Sequence, residues 1–196
     1  MSKLKILVVI GSTREGRFGE KPARWICDFL NRDERFDAEL VDLREWPLPF
    51  FDQPISPMRV SDGDYKNAVA NEWAKKVGGA DGFVFSASEY NHGYTAVLKN
   101  ALDWLGVEWK RKPVTFVGYG NAGGARAVEQ LRQVAIELQM APIKCAVHLP
   151  IPIYLAVREL PLPIDPAHFA AGEPAATAMR DDLAWWGAAL REARNK

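Results

Sequence analysis

The stretch Leu4-Lys5-Ile6-Leu7-Val8-Val9-Ile10-Gly11-Ser12-Thr13-Arg14-Glu15-Gly16-Arg17-Phe18-Gly19 runs an apolar segment straight into a glycine-bounded polar loop. The apolar run is too short to span a bilayer and no small-residue cleavage site follows it. It therefore reads as a buried strand over 4–10 rather than a signal peptide or membrane helix. The loop's glycines permit positive φ and close backbone approach. A helix expected over 19–31 then offers unpaired N–H groups and a partial positive charge to an anion seated in the loop. Ser12 and Thr13 add hydroxyl donors, and Arg14 and Arg17 add guanidinium forks that match phosphate oxygens. The pattern is neither G-x-G-x-x-G nor G-x-x-x-x-G-K-[ST], so it suits a terminal phosphate monoester better than a dinucleotide. A plain strand-to-helix turn with solvated arginines is the alternative. If an anion binds, Glu15 must point outward.

From this loop onward, strand and helix patterns alternate to the end of the chain, as in a parallel sheet wrapped by helices. Strands are expected over 4–10, 37–43, 81–87, 113–119 and 143–149, and helices over 19–31, 64–78, 94–105, 125–138 and 175–193. In the last helix Met179, Leu183, Trp186 and Leu190 would form one apolar stripe. The first, third and fourth strands are almost continuously apolar, whereas the second carries Asp37, Glu39 and Asp42 and the fifth carries Lys144 and His148. Central parallel strands are buried on both faces and edges tolerate charge. The expected order is 2-1-3-4-5, in a three-layer α/β sandwich; the order 3-2-1-4-5 would put the charged second strand inside. No repeat or linker divides the chain, so residues 1–196 read as one domain.

Lysine plus arginine equals aspartate plus glutamate, at 25 each, which gives no electrostatic case for nucleic acid or an anionic membrane. Cys27 and Cys145 are expected as unpaired thiols in a cytoplasmic chain. His92, His148 and His168 have no partners at metal-ligand spacing, so no metal is expected. His92 lies near the ligand loops and His148 on a strand edge. Trp25, Trp73, Trp104, Trp185 and Trp186 fall on helices, where core packing or a subunit interface is the expectation. Lys99 and Asp103 read as a surface pair. Two long proline-rich connections, 44–63 and 150–174, read either as lids, binding walls and interfaces or as surface covers. No Gly-x-Ser-x-Gly elbow supports hydrolysis.

In the order 2-1-3-4-5 a ligand crevice opens between strands one and three at their carboxyl ends. Strand three ends in Ser86-Ala87-Ser88-Glu89-Tyr90-Asn91-His92-Gly93-Tyr94, and strand four in Gly118-Tyr119-Gly120-Asn121-Ala122-Gly123-Gly124. Tyr90 could wall a flat ring, Asn91 could orient it, and the glycines let backbone N–H groups approach its polar edge.

These segments resemble the NAD(P)H-dependent FMN reductase family, a flavodoxin-like group that includes quinone, chromate and azo-dye reductases. The resemblance rests on Gly11-Ser12-Thr13-Arg14, on E-Y-N-x-x-x-x-x-x-L-K-N-A-x-D-W from Glu89 to Trp104, and on G-x-x-G-G-x-R-A from Gly120 to Ala127 with Gln130 to Arg132. It implies a flavodoxin-like fold and bound FMN. Its phosphate would lie among Ser12, Arg14, Arg17, Phe18 and Gly19. Its ring would lie along Glu89, Tyr90, Asn91 and His92, opposite Gly120, Asn121, Gly123 and Gly124. Ser88 in place of a proline, and Phe18-Gly19 in place of a late serine, depart from the family pattern and should change loop shape and affinity without abolishing the site.

The implied activity is two-electron transfer from NAD(P)H to a small acceptor such as a quinone, azo compound, flavin or metal oxyanion. The cofactor carries the chemistry, so no residue is expected to be catalytic in the strict sense. A homodimer or homotetramer is implied, with 44–63 as a candidate interface wall. A flavodoxin-type one-electron carrier without its own nicotinamide site is the rival, and a flavin-free regulator a more distant one.

Overall fold

The computed structural model describes residues 2–60 and 63–196. Strand β1 (Leu4–Ile10) leads through α1 (Glu20–Asn31) to β2 (Phe36–Asp42), then α2 (Ala68–Gly78), β3 (Gly82–Ser88), α3 (Ala96–Asp103), β4 (Pro113–Tyr119) and α4 (Ala125–Glu137). Two short strands, β5 (Ala141–Pro142) and β6 (Val147–Leu149), precede α5 (Ile151–Val157) and α6 (Glu173–Arg194). The sheet is parallel in the order β2-β1-β3-β4, with β5 and β6 both beside β4. That is the flavodoxin-like order expected from the charges.

Burial explains the order. Every residue of β3 and β4 is buried, as a strand covered on both faces requires, whereas Asp37 and Glu39 of edge strand β2 point out. The alternation along β1 feeds two core layers. Leu7 and Val9 pack with Trp73, Trp104, Phe85 and Phe116 under α2, α3 and α4. Ile6, Val8 and Ile10 pack with Ile26, Leu30, Met179 and Leu183 under α1 and α6.

Three expectations need correction. The fifth strand is interrupted, because Arg132 binds the carbonyls of Ile143 and Lys144 and the Thr115 hydroxyl binds that of Cys145. Those long-range bonds occupy acceptors that a continuous ladder would use. The apolar stripe of α6 is Ala176, Met179, Leu183 and Gly187; Trp186 is exposed and rests against exposed Trp185. Gly187 sets this rotation, since a Cβ there would lie 2.9 Å from Leu4 Cδ1. The 150–174 connection is not a loop throughout: it contains α5 and a 3-10 turn over Pro166–Gly172. Pro152 is tolerated because a proline in a helix's first turn gives up no intrahelical donor.

Trp25, Trp73 and Trp104 are core residues. Cys27 is buried, Cys145 half-buried, and neither is in a disulfide. Lys99 and Asp103 form their ion pair. In the 44–63 connection, residues 61 and 62 lie outside the described residues. Its first part is pinned by Asn100, which donates to the carbonyls of Leu48 and Pro49 at 3.2 and 2.9 Å and accepts from Phe51 N at 3.0 Å. Trp104 Nε1 adds a 2.7 Å bond to Pro49 O. Two side chains of the L-K-N-A-x-D-W motif therefore hold this loop, and Phe50 is left 80% exposed at its tip.

Candidate functional site

The loop after β1 is held by the protein's own contacts. Gly11 N donates to Ser86 O at 3.0 Å and Thr95 Oγ1 donates to Gly11 O, which fixes the loop's start to β3 and α3. Gly11 must be glycine, because a Cβ would lie 2.7 Å from Ser86 O. Arg17 lies folded beneath the loop. Its guanidinium donates to Ser12 O at 2.9 Å, to Asp42 Oδ1 at 2.6 Å and to Glu20 Oε2 at 3.1 Å, and it also pairs with Asp42 Oδ2. Burial opposes its charge, but the two carboxylates prevail and hold its pKa above the ordinary value. Asp42 and Glu20 are held below the usual carboxylate range in spite of their own desolvation. Arg44, just beyond β2, donates its amide to Asp42 Oδ1 at 2.9 Å and its guanidinium to the carbonyls of Thr13 and Arg14 at 3.2 and 2.6 Å. Arg17 therefore lines the site as a strut rather than as the free cation expected. Arg14 is exposed, and among the described residues no carboxylate pairs with it. Glu15 is exposed, as an anion site requires.

The turn after β3 is held by backbone. Tyr90 N donates to Gly93 O at 2.8 Å and Gly93 N to Tyr90 O at 3.0 Å. Between them Asn91 and His92 both have positive φ, 49° and 69°. This is a type I′ turn, whose positive φ asparagine and histidine adopt more readily than most residues with a side chain. It is tied to α4 by Gln130, which donates to His92 O at 2.9 Å, and by a 2.7 Å contact of His92 Nε2 with Arg126 Nη1. Glu89 completes the tie: its nearly buried carboxylate accepts from Arg126 N at 3.1 Å and Arg126 Nε at 2.7 Å. A carboxylate on the first turn of α4 also meets the positive end of that helix. Desolvation pushes the Glu89 pKa up, but the Arg126 bonds outweigh it and the net shift is downward. Glu89 borders the site, with its charge directed at α4.

Gly120, Asn121 and Tyr119 close the opposite side. Tyr119 packs on Phe18, with ring centroids 5.1 Å apart. Its hydroxyl is enclosed without a well-formed hydrogen bond, and burial raises its pKa, an effect that the nearby Ser88 hydroxyl eases. Gly19, Gly123 and Gly124 do not line the space. Gly19 makes room for Tyr119, whose oxygen would lie 2.2 Å from a Cβ at that position. Gly124, at φ 71°, has no room for a side chain, since a Cβ there would lie 2.5 Å from Tyr119 N. Gly19 and Gly124 are thus required by the packing around β4, and Gly123 packs against His148.

The result is a cavity of about 620 Å³ at the carboxyl ends of β1, β3 and β4, within the range of small-ligand sites. Ser12, Arg14, Arg17 and Phe18 stand on its wall with Glu89, Tyr90, Asn91, His92, Gly120 and Asn121. Ser12 Oγ lies 2.9 Å from the Tyr90 hydroxyl. A second cleft, about 440 Å³, shares Ser12, Arg14 and Tyr90 and is otherwise bounded by Leu48, Phe50, Val97 and Asn100. Sequence reasoning missed Arg126, although it stands in the glycine motif, and Tyr119, which looked like an ordinary strand end. It also missed Ile151, Tyr154, Leu155 and Arg158 of α5, for which the proline-rich connection was the available signal. Among the described residues, no cluster of histidine, cysteine and carboxylate groups could hold a metal ion.

Residues 4–151 match the model of the family described as NADPH-dependent FMN reductase. The chain belongs to that family. It is 43% identical over 148 residues to an NAD(P)H-dependent FMN reductase of Schizosaccharomyces pombe, covering 74% of each chain. It is 33% identical over 144 residues to a 2-hydroxy-1,4-benzoquinone reductase of a Burkholderia species, covering 70% of this chain and 73% of that one. Among solved structures, an oxidoreductase from Corynebacterium diphtheriae superposes with a TM-score of 0.68 at 13% identity, over 95% of this chain and 97% of that one. The protein is an NAD(P)H-dependent oxidoreductase of the FMN reductase type. Among the described residues, no helix is long and apolar enough to cross a membrane.

Proposed function

We propose that the 620 Å³ cavity holds FMN as a resident cofactor, and that the enzyme passes two electrons from NAD(P)H to a flat, small acceptor such as a quinone, azo compound or free flavin. The observation that carries this reading is the division of one cavity into a hydroxyl-and-guanidinium end and a flat end. At the first end, Ser12 and the unpaired Arg14 meet the start of α1, which suits a phosphate monoester. At the other, Tyr90, Asn91, Gly120 and Asn121 leave a slot bordered by backbone, which suits a planar ring. Bound there, FMN supplies hydride acceptance from the nicotinamide and return of the electrons to the acceptor. The protein's part is to fix the ring against the I′ turn, orient its polar edge and limit water. The cleft behind Tyr90, with Leu48, Phe50 and Val97 on its walls, suits the acceptor because an aromatic ring gains by leaving water there. Exposed Phe50 and Ile55 on the same loop favour a homodimer or homotetramer in which a second subunit completes this wall.

The test is to titrate apoprotein with FMN and then follow NADH and NADPH oxidation with a quinone and an azo dye. Saturable FMN binding with acceptor-dependent turnover is expected. Tight FMN binding with negligible nicotinamide oxidation would instead mark a carrier.

A further inference from the structure

The charge around the phosphate end falls short of a monoester, which carries about −1.5 to −2 at neutral pH. Arg17 is matched by Asp42 and Glu20, and Glu20 also pairs with Arg24, so these four groups sum to zero. Arg126 is committed to Glu89. Lys21 is buried outside the cavity and donates at 2.9 and 2.5 Å to the carbonyls of Val157 and Arg158. Among the described residues on the cavity wall this leaves Arg14 and one further arginine, Arg158.

Arg158 follows α5, beyond the residues that match the family model. Its position is set from three sides. Lys21, in the first turn of α1, holds its carbonyl. Tyr154 meets Phe18 edge to face at 5.0 Å, and the Arg158 guanidinium lies 5.9 Å from the Tyr154 ring centroid. Among the described residues its one carboxylate contact is to Glu159, its exposed chain neighbour, at 3.1 Å. A pair that exposed contributes little and yields readily to a stronger anion.

We propose that Arg158 is the second cation holding the cofactor's phosphate, so that α5 is a wall of the cofactor site built from outside the matched family segment. The proposal rests on the FMN reading above. It assigns to Arg158 the role that the sequence assigned to Arg17.

The test is fluorescence titration of apoprotein with FMN and with riboflavin, which has the same ring and no phosphate. Arg158→Ala should raise the Kd for FMN about tenfold or more, the scale of one charged hydrogen bond, and leave the riboflavin Kd within about twofold. Arg158→Lys should recover most of the FMN affinity. Unchanged FMN affinity in Arg158→Ala, while Arg14→Ala weakens it, would overturn the assignment and leave the FMN site standing. Equal losses for FMN and riboflavin would also overturn it, because they would show a damaged wall rather than a missing charge. Failure of the wild-type apoprotein to bind FMN at all would remove the FMN reading and this proposal together.

Discussion

The loop after β1 and the turn after β3 face each other across one cavity and are held in different ways. The first is fixed by ionic side chains: Asp42 grips Arg17 from below, and Arg44 reaches over to the carbonyls of Thr13 and Arg14. The second is fixed by backbone conformation, two consecutive residues at positive φ closed by a pair of main-chain hydrogen bonds. On the proposed function, the contrast follows from what each would face. A loop meant for an anion can carry arginines only if some are neutralised, since unmatched like charges would push it open. A wall meant for a planar ring must keep bulky side chains away, so its shape has to come from the main chain.

Removing a neutralising partner should therefore have the largest effect. Asp42→Ala leaves the buried Arg17 with Glu20 alone and is expected to cost about 2–3 kcal/mol, somewhat below the loss of a fully buried partner. The measurement is the urea midpoint at constant m-value. The double variant Arg17→Met, Asp42→Leu should recover much of the loss, because it removes the unmatched charge along with the pair. A loss below about 0.5 kcal/mol in Asp42→Ala would place the pair among weak surface ion pairs and dissolve the contrast.

In the β4–α4 turn, also shaped by backbone, Gly124→Ala should cost about 2 kcal/mol, because φ is 71° and the new Cβ would lie 2.5 Å from Tyr119 N. Thermal denaturation would read this directly. If the variant melts with the wild type, the β4–α4 turn is more adaptable than its geometry implies.

These two residues also show what the sequence could and could not disclose. Asp42 was readable as a mark of an edge strand, and the strand order that followed was right, since parallel-strand burial depends on polarity along the chain. Its bond to Arg17 spans 25 positions and leaves no local pattern, so Arg17 looked like a free phosphate ligand. The glycines after β4 were readable as demanding unusual backbone. Which surface they served was not, because close approach to Tyr119 and close approach to a ligand require the same residue. Helix α5 escaped because prolines at 150 and 152 resemble a loop, and only tertiary packing of Tyr154 on Phe18 distinguishes the two. The fifth strand likewise broke where distant side chains, Arg132 and Thr115, took its carbonyls.

The tie between the β3 turn and α4 is the one place where the backbone-held side relies on charge, and pH separates its contribution. The Glu89 pKa is below its ordinary 4.5 in the folded protein, so Glu89 contributes stability that is fully present above about pH 4.5 and is lost as pH falls through the folded value. Glu89→Gln should lose about 1 kcal/mol at neutral pH, discounted because Arg126 is partly exposed. The gap from wild type should close as pH drops below 4.5. A gap constant down to pH 3 would mean that Glu89 acts through shape and not charge.

The smallest effect belongs to Asn91. It occupies the first central position of the I′ turn, where glycine and asparagine are both accommodated, and among the described residues its side-chain amide makes no hydrogen bond. Asn91→Gly should thus change stability by less than about 0.5 kcal/mol, the easier positive φ offsetting the greater freedom of the unfolded chain. Asn91→Val, with a β-branched side chain at φ 49°, should cost about 1–2 kcal/mol although it removes the same amide. The order of the two variants isolates the cause. If both destabilise equally, the amide is what holds the turn, and the ring side of the cavity is built from side chains just as the phosphate side is. If glycine is neutral and valine is not, main-chain conformation shapes that wall, and the amide of Asn91 is left free to meet the edge of a ligand.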